Sequence, residues 1–125
     1  MKDKTKICII EDELSIRNLY LFKLKLEGFD VSLAENGEVG LRVIEKERPE
    51  VILLDLRMPV MTGEDMLEEL RTYDWAKDIK VIVLTNISKD EAPTKLRLLN
   101  VDRYVVKAHH TPQQIVDIVN ELINK

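Results

Sequence analysis

Each of four short apolar runs, residues 7–10, 51–54, 81–84 and 104–106, stops at a side chain that can do chemistry. Glu11 and Asp12 follow the first run, Asp55 the second, Thr85 the third and Lys107 the fourth. The runs are rich in β-branched residues and too short for helices, so they predict strands buried on both faces. A fifth stretch, residues 30–34, alternates apolar and polar side chains. It predicts a strand with one face less covered, at the edge of a sheet.

Segments of helical length separate the runs, and their apolar residues recur at spacings of three and four. Met66, Leu67 and Leu70 mark one such face. Ala92, Leu96 and Leu99 mark a second, and Ile115, Ile118, Val119, Leu122 and Ile123 a third. Thr111-Pro112-Gln113-Gln114 reads as a capping box with proline at the first helical position. Thr62 and Asn36 can cap two further helices whose first turns carry acids, and Gly28 stands where the first helix should stop. Strand and helix thus alternate five times. Right-handed crossovers then predict an α/β fold: a doubly wound, flavodoxin-like (β/α)5 domain whose five parallel strands take the order 2-1-3-4-5.

A chain of 125 residues, 45% apolar and 34% charged, suits one soluble domain over residues 1–125. Its net charge of -4 gives no electrostatic reason to expect nucleic acid or a membrane surface as the main partner. The apolar stretch near the N-terminus is too short for a signal-peptide core or a membrane span. Cys8, the single cysteine, sits inside the first run and reads as a small core residue in a reducing compartment. A cytoplasmic protein with no membrane insertion and no direct nucleic-acid contact is the expectation.

In an open doubly wound sheet the carboxyl ends of the strands share one edge, and ligands bind there where the strand order reverses. With the order 2-1-3-4-5 that crevice lies between strands one and three. Glu11, Asp12 and Asp55 then meet across it, with Thr85 and Lys107 beside them. Three carboxylates this close repel one another unless a cation joins them. Carboxylate and carbonyl oxygens, with water completing an octahedron, describe Mg2+ better than zinc.

With these residues at these strand ends the chain resembles the receiver domain of two-component response regulators, the CheY-like superfamily, over essentially its whole length. The resemblance rests on Glu11-Asp12, on Asp55-Leu56-Arg57-Met58-Pro59-Val60-Met61-Thr62-Gly63, on Thr85, and on Tyr104 three residues before Lys107. It implies that Glu11, Asp12, Asp55 and the backbone carbonyl of Arg57 hold Mg2+. Asp55 would be the phosphoacceptor, taking a phosphoryl group from a phosphohistidine on a sensor histidine kinase or phosphotransfer protein. Lys107 and Thr85 would assist, so that the chain catalyses its own phosphorylation and dephosphorylation without being a classical enzyme. Thr85 and Tyr104 would form the switch that alters a partner-binding face of helix 4, strand 5 and helix 5. The chain would be a monomer or a phosphorylation-dependent dimer. It would be either a stand-alone regulator or a receiver cut from a longer protein.

Two positions depart from the commonest family pattern. Asn86 stands after Thr85 where a small residue is usual, and Ala108 follows Lys107 where proline is usual. Asn86 and Arg57 border the route of water to the acyl phosphate, and Asn86 is expected to hinder it. Ala108 argues against a cis peptide, which costs about 2.5–4 kcal/mol without proline. His109 and His110 read as loop surface, Trp75 as a packed loop anchor, and Lys89, Lys95 and Arg97 as a solvated or docking face.

Three rival functions share the fold. Glu11-Asp12-Glu13 has neither the glycines nor the Gly-Lys-Ser/Thr of a nucleotide-binding turn. An aspartyl phosphatase resembling the haloacid dehalogenase family would carry a second Asp where Arg57 stands. A receiver-like module working without phosphorylation usually loses one of the site residues, and this chain keeps them all.

Overall fold

The computed structural model describes residues 4–124, so residues 1–3 and 125 of the expected domain lie outside it. Five strands, β1 (Lys6–Ile10), β2 (Asp30–Ala34), β3 (Val51–Leu54), β4 (Lys80–Thr85) and β5 (Arg103–Val106), form one parallel sheet in the order β2-β1-β3-β4-β5. Four α-helices connect and flank them: α1 (Leu14–Leu26), α2 (Gly37–Glu47), α3 (Gly63–Leu70) and α4 (Pro112–Ile123). β2 lies at the edge, as its half-covered pattern predicts.

The period of two along each strand divides the core. Cys8, Ile10, Ile52, Leu54, Val81 and Val83 point to one face, against Ile44 of α2 and Met66, Leu67 and Leu70 of α3. Ile7, Ile9, Val51, Leu53, Ile82 and Leu84 point to the other, against Tyr20 and Leu24 of α1 and Ile115, Val116 and Val119 of α4. Each fully buried aliphatic side chain contributes about 1.5–3 kcal/mol, which is what holds helices on both faces of so short a sheet.

The caps follow the sequence. The Asn36 side chain accepts from the Val39 N–H at 2.9 Å, and Thr62 accepts from Asp65 at 3.2 Å. Thr111 and Gln114 close a reciprocal capping box. Gly28, with φ of 93°, takes the left-handed turn that ends α1.

The fourth crossover corrects the expectation. The spacing of Ala92, Leu96 and Leu99 predicts a helix, but the structure has two short 3-10 turns, Lys89–Glu91 and Thr94–Leu98, with Ala92 and Pro93 between them. Pro93 would be an interior helical residue; its ring lacks an N–H and collides with the preceding turn. Ala92 before it is extended, at φ of −63° and ψ of 146°. Leu96 and Leu99 still reach the core.

Side chains hold the broken segment in place. Arg71, at the end of α3, donates to the carbonyls of Leu99 and Asn100, each at 2.9 Å, and of Ala76 and Ile79 at 2.9 and 3.1 Å. Lys95 pairs with Asp65 and Glu68 of α3. Trp75 packs on the core edge, stacked on Tyr73 at 5.6 Å and capped by the Arg48 guanidinium at 3.8 Å.

Candidate metal and phosphoryl site

The carboxyl ends of β1, β3, β4 and β5 deliver their terminal residues to one cleft of about 340 Å³, lined by Asp12, Asp55, Arg57, Thr85, Asn86 and Lys107 among others. Parallel pairing achieves this: Ile10 lies beside Leu54 and Leu54 beside Val83, while β4 runs two residues further to Thr85, which lies beside Val106. Glu11, Asp55 and Thr85 are buried, whereas Asp12 is exposed at the mouth.

Lys107 reaches across the sheet edge into the acids. Its ammonium donates to Glu11 and, at 3.1 Å, to Asp55 Oδ2. Asp55 Oδ1 accepts from the Leu56 N–H at 2.7 Å, with the Arg57 N–H at 3.4 Å. Glu11 Oε2 accepts from the Glu13 N–H at 3.1 Å. Carboxylate oxygens of Glu11, Asp12 and Asp55 lie within 4.8 Å of one another.

Burial pushes the Glu11 carboxyl above the usual range and the Asp55 charge adds to this, while hydrogen bonds from Lys107 and Glu13 pull the other way. Burial also opposes the charge on Lys107. The combined pull of Glu11 and Asp55 outweighs it and holds the ammonium above the ordinary lysine value. One ammonium therefore serves two carboxylates, with the third, Asp12, close by. Such an all-oxygen donor set with surplus negative charge fits a hard divalent ion.

Glycine permits the close approach of chain that shapes this site. A Cβ on Gly63 would collide with the Asp55 carbonyl and, at 2.9 Å, with the Leu56 Cα. The first turn of α3 is thereby pressed against the residue that carries the nucleophile candidate. Val60, in the loop between them, has φ of 71°, a left-handed conformation that costs a β-branched residue about 1–2 kcal/mol.

Tyr104 is half-buried, and its hydroxyl donates to the Ile87 carbonyl at 2.7 Å. The Ile87 N–H in turn points to Thr85 Oγ1 at 3.4 Å. The Ile87 peptide thus joins the two residues singled out as a switch pair, a link with no signal in the sequence. Arg17 is a second omission. Its guanidinium donates to the carbonyls of Glu11 at 2.9 Å and Asp12 at 3.5 Å, fixing the turn that bears both acids. Its position one turn into the first helix, facing back toward the acidic pair, is the clue available in sequence.

Asn86 is exposed on the cleft wall, and the Arg57 side chain is exposed beside it. No cis peptide occurs among the described residues, so Lys107–Ala108 is trans. His110 Nδ1 lies 3.0 Å from the Val106 carbonyl and His109 is exposed; neither belongs to the acid cluster.

Comparison with known proteins gives a consistent result. The family model described as response regulator receiver domain matches residues 7–120. The probable transcriptional regulator ycf27 of Cyanophora paradoxa is 33% identical over 124 residues, which is 98% of this chain and 50% of that protein. Sporulation initiation phosphotransferase F of Bacillus subtilis is 36% identical over 80 residues, covering 64% of this chain and 63% of that one. Among solved structures, the response regulator TrrA of Thermotoga maritima, in complex with Mg(2+)-BeF, superimposes with a TM-score of 0.81. It is 31% identical, with 94% of this chain and 98% of that chain covered. The chain spans about half the length, or less, of the ycf27 relatives it matches.

Proposed function

We propose that this chain, which belongs to the response regulator receiver domain family, is a single receiver domain over residues 1–125 that operates as a phosphorylation-driven switch through Asp55. The observation that carries the reading is the convergence of Glu11, Asp12 and Asp55 with Lys107 at the sheet edge where β1 and β3 adjoin. Glu11, Asp12, Asp55 and the Arg57 carbonyl would hold Mg2+, which when bound offsets the charge gathered on the phosphoryl oxygens. The Glu11 oxygens already accept one hydrogen bond each and keep lone pairs for the ion or its water.

In the transfer a carboxylate oxygen of Asp55 attacks phosphorus in line. The P–N bond of a phosphohistidine on a kinase or phosphotransfer protein breaks, and the imidazole leaves with the bonding pair. Positioning and charge stabilisation are most of what such a reaction needs. Lys107, already on Asp55, supplies a fixed positive charge, and the Thr85 hydroxyl supplies a donor on the cleft wall. Asn86 and Arg57 stand on the path of the water that later hydrolyses the acyl phosphate.

The phosphoryl group adds nearly two negative charges to the cleft. A turn of Thr85 toward them breaks its contact with the Ile87 N–H and loosens the segment whose carbonyl holds Tyr104. The surface formed by the fourth crossover, β5 and α4 changes with it, and that surface is where a downstream protein engages. Dimerisation on phosphorylation through the same face is a corollary. No helix among the described residues is long and apolar enough to cross a membrane, and a cytoplasmic site of action accords with phosphohistidine donors.

Incubation with a small phosphodonor and Mg2+, followed by intact mass, tests the reading. The native chain should gain one phosphoryl group and Asp55→Asn none. Absence of gain in the native chain would leave a receiver-like module that works without phosphorylation.

A further inference from the structure

Among the described residues, Glu64 Oε1 is the one buried side-chain oxygen without a hydrogen-bond partner. Glu64 stands in the first turn of α3, where an acid offsets the positive end of the helix. That role asks only for charge nearby, which Asp65 also supplies, and does not ask for an oxygen sealed from water. A carboxylate oxygen withdrawn from water and given no donor costs stability, so a donor within reach is drawn to it.

The backbone brings one close. The Gly63 N–H donates to the Leu56 carbonyl at 3.0 Å, which sets Glu64 and Arg57 on adjoining stretches of chain. Both line a cavity of about 620 Å³ beside the phosphoryl cleft, with Met58, Pro59 and Pro93 in its walls. Arg57 lines the phosphoryl cleft as well. Its side chain is exposed, and no ion pair ties its guanidinium to any described residue, so it is an arm lodged at neither end. The other two acids of the adjoining cavity are already engaged. Asp12 belongs to the acid cluster, and Glu91 is exposed and accepts from the Ser88 hydroxyl at 3.0 Å.

We propose that Glu64 is a positioning residue for Arg57: its carboxylate draws the guanidinium into the adjoining cavity before phosphorylation and yields it to the phosphoryl oxygens once Asp55 is modified. This rests on the reading of Asp55 as the phosphoacceptor. Arg57 borders both spaces, so rotation of its side chain alone carries the charge from one to the other. A guanidinium binds carboxylate and phosphate alike through paired N–H donors. A phosphoryl group bearing nearly two charges outcompetes a single carboxylate. Before transfer, Glu64 withholds that positive charge from an incoming anionic donor. It therefore sets how fast the chain is phosphorylated without touching the reacting atoms.

Uptake from acetyl phosphate at limiting concentration, with Mg2+, tests this in a double-mutant cycle on the full chain. Glu64→Gln keeps the shape of the side chain and removes its charge; it should raise the initial rate about three-fold or more, as expected of coupled neighbours. Arg57→Met should lower the rate, and adding Glu64→Gln to it should change nothing further. A residue that merely supports the fold would act equally in both backgrounds. The Arg57 Nε–H signal in NMR reads the pair without phosphorylation: it should move in Glu64→Gln and stay in place in Glu91→Gln. An unmoved signal in Glu64→Gln, or equal rate gains with and without Arg57, would overturn the proposal. A native chain that gains no phosphoryl group would strike the Asp55 reading and the transfer of Arg57 with it, while the NMR comparison would still decide the pair.

Discussion

The Lys107 ammonium stands 3.1 Å from Asp55 Oδ2 while it also donates to Glu11, so one buried cation ties the end of β5 to the ends of β1 and β3. The contact spans the sheet, and its partners are nearly sealed from solvent. Two carboxylates share it and Asp12 lies close by, so the site is balanced only in part by its own protein.

Removing that cation should destabilise the metal-free chain. Lys107→Met keeps the aliphatic stem and leaves Glu11 and Asp55 facing each other, at a cost of about 3 kcal/mol near neutral pH. The sign with pH follows from the two shifts. Lys107 is raised, so its stabilisation is complete below the ordinary lysine value and is lost as pH rises through the folded value. Glu11 is also raised, so the native state binds its proton more readily; the charged form costs stability above the folded value, and that cost disappears below the ordinary glutamate value. Urea titrations should show the deficit of Lys107→Met shrinking as the solution is acidified through the Glu11 transition. A deficit independent of pH would mean that lost packing, not charge, is responsible.

Asp12→Asn should act in the opposite sense without metal. Neutralising one of three adjacent carboxylates relieves repulsion, and Asp12 is exposed, so no buried partner is orphaned. A gain of about 0.5–1 kcal/mol is expected. Magnesium at about a hundred times its dissociation constant should stabilise the native chain by about 2.7 kcal/mol. The variant should show little response at the same concentration. Thermal melts with and without Mg2+ check both halves, and an equal Mg2+ response in the two proteins would remove Asp12 from the ligand set.

Much of the site is legible in sequence because parallel strands end on one edge, so Glu11, Asp12, Asp55, Thr85 and Lys107 are aligned by chain position alone. What stays hidden depends on contacts remote in sequence. Nothing in Pro59-Val60-Met61 predicts a left-handed valine, and nothing around Ile87 announces that its peptide joins Thr85 to Tyr104. The fourth crossover shows the other kind of failure. Apolar spacing predicts a helix there, but the spacing is indifferent to Pro93, which decides the backbone.

Asn86→Ala should shorten the life of the acyl phosphate. Asn86 is exposed on the cleft wall; under the proposed mechanism an incoming water would pass it, and alanine would open that path. A rise of about three- to ten-fold in autodephosphorylation corresponds to roughly 0.7–1.4 kcal/mol of barrier. Release of inorganic phosphate from the isolated phosphoprotein measures it. An equal or slower rate would show that the amide orients the water rather than blocking it.

Tyr104→Phe isolates the hydroxyl from the ring. Loss of the bond to the Ile87 carbonyl costs the unswitched state about 1 kcal/mol. If switching breaks that bond, the equilibrium moves toward the switched state by roughly five-fold before any phosphorylation. Exchange-broadened NMR signals of residues 85–88 and 104 report the populations. No shift would mean that the tyrosine keeps its bond in both states, and the ring would then be packing alone.

Pro93→Ala addresses the crossover itself. Proline inside a helix costs about 3 kcal/mol, and with alanine in its place the Ala92, Leu96 and Leu99 spacing suits one continuous helix against the sheet. Residues 89–99 should then wind up, adding on the order of ten residues to the helical circular dichroism and slowing exchange of their amides. Arg71 opposes this, because its bonds to Leu99 and Asn100 hold the end of the segment where it is. Those carbonyls lie at the very end of the segment, as a helix C-terminus would leave them, so the guanidinium can keep them while the preceding turns re-form. Unchanged helicity in Pro93→Ala together with a gain in the Pro93→Ala, Arg71→Met pair would show that the clamp, not the proline, sets the crossover.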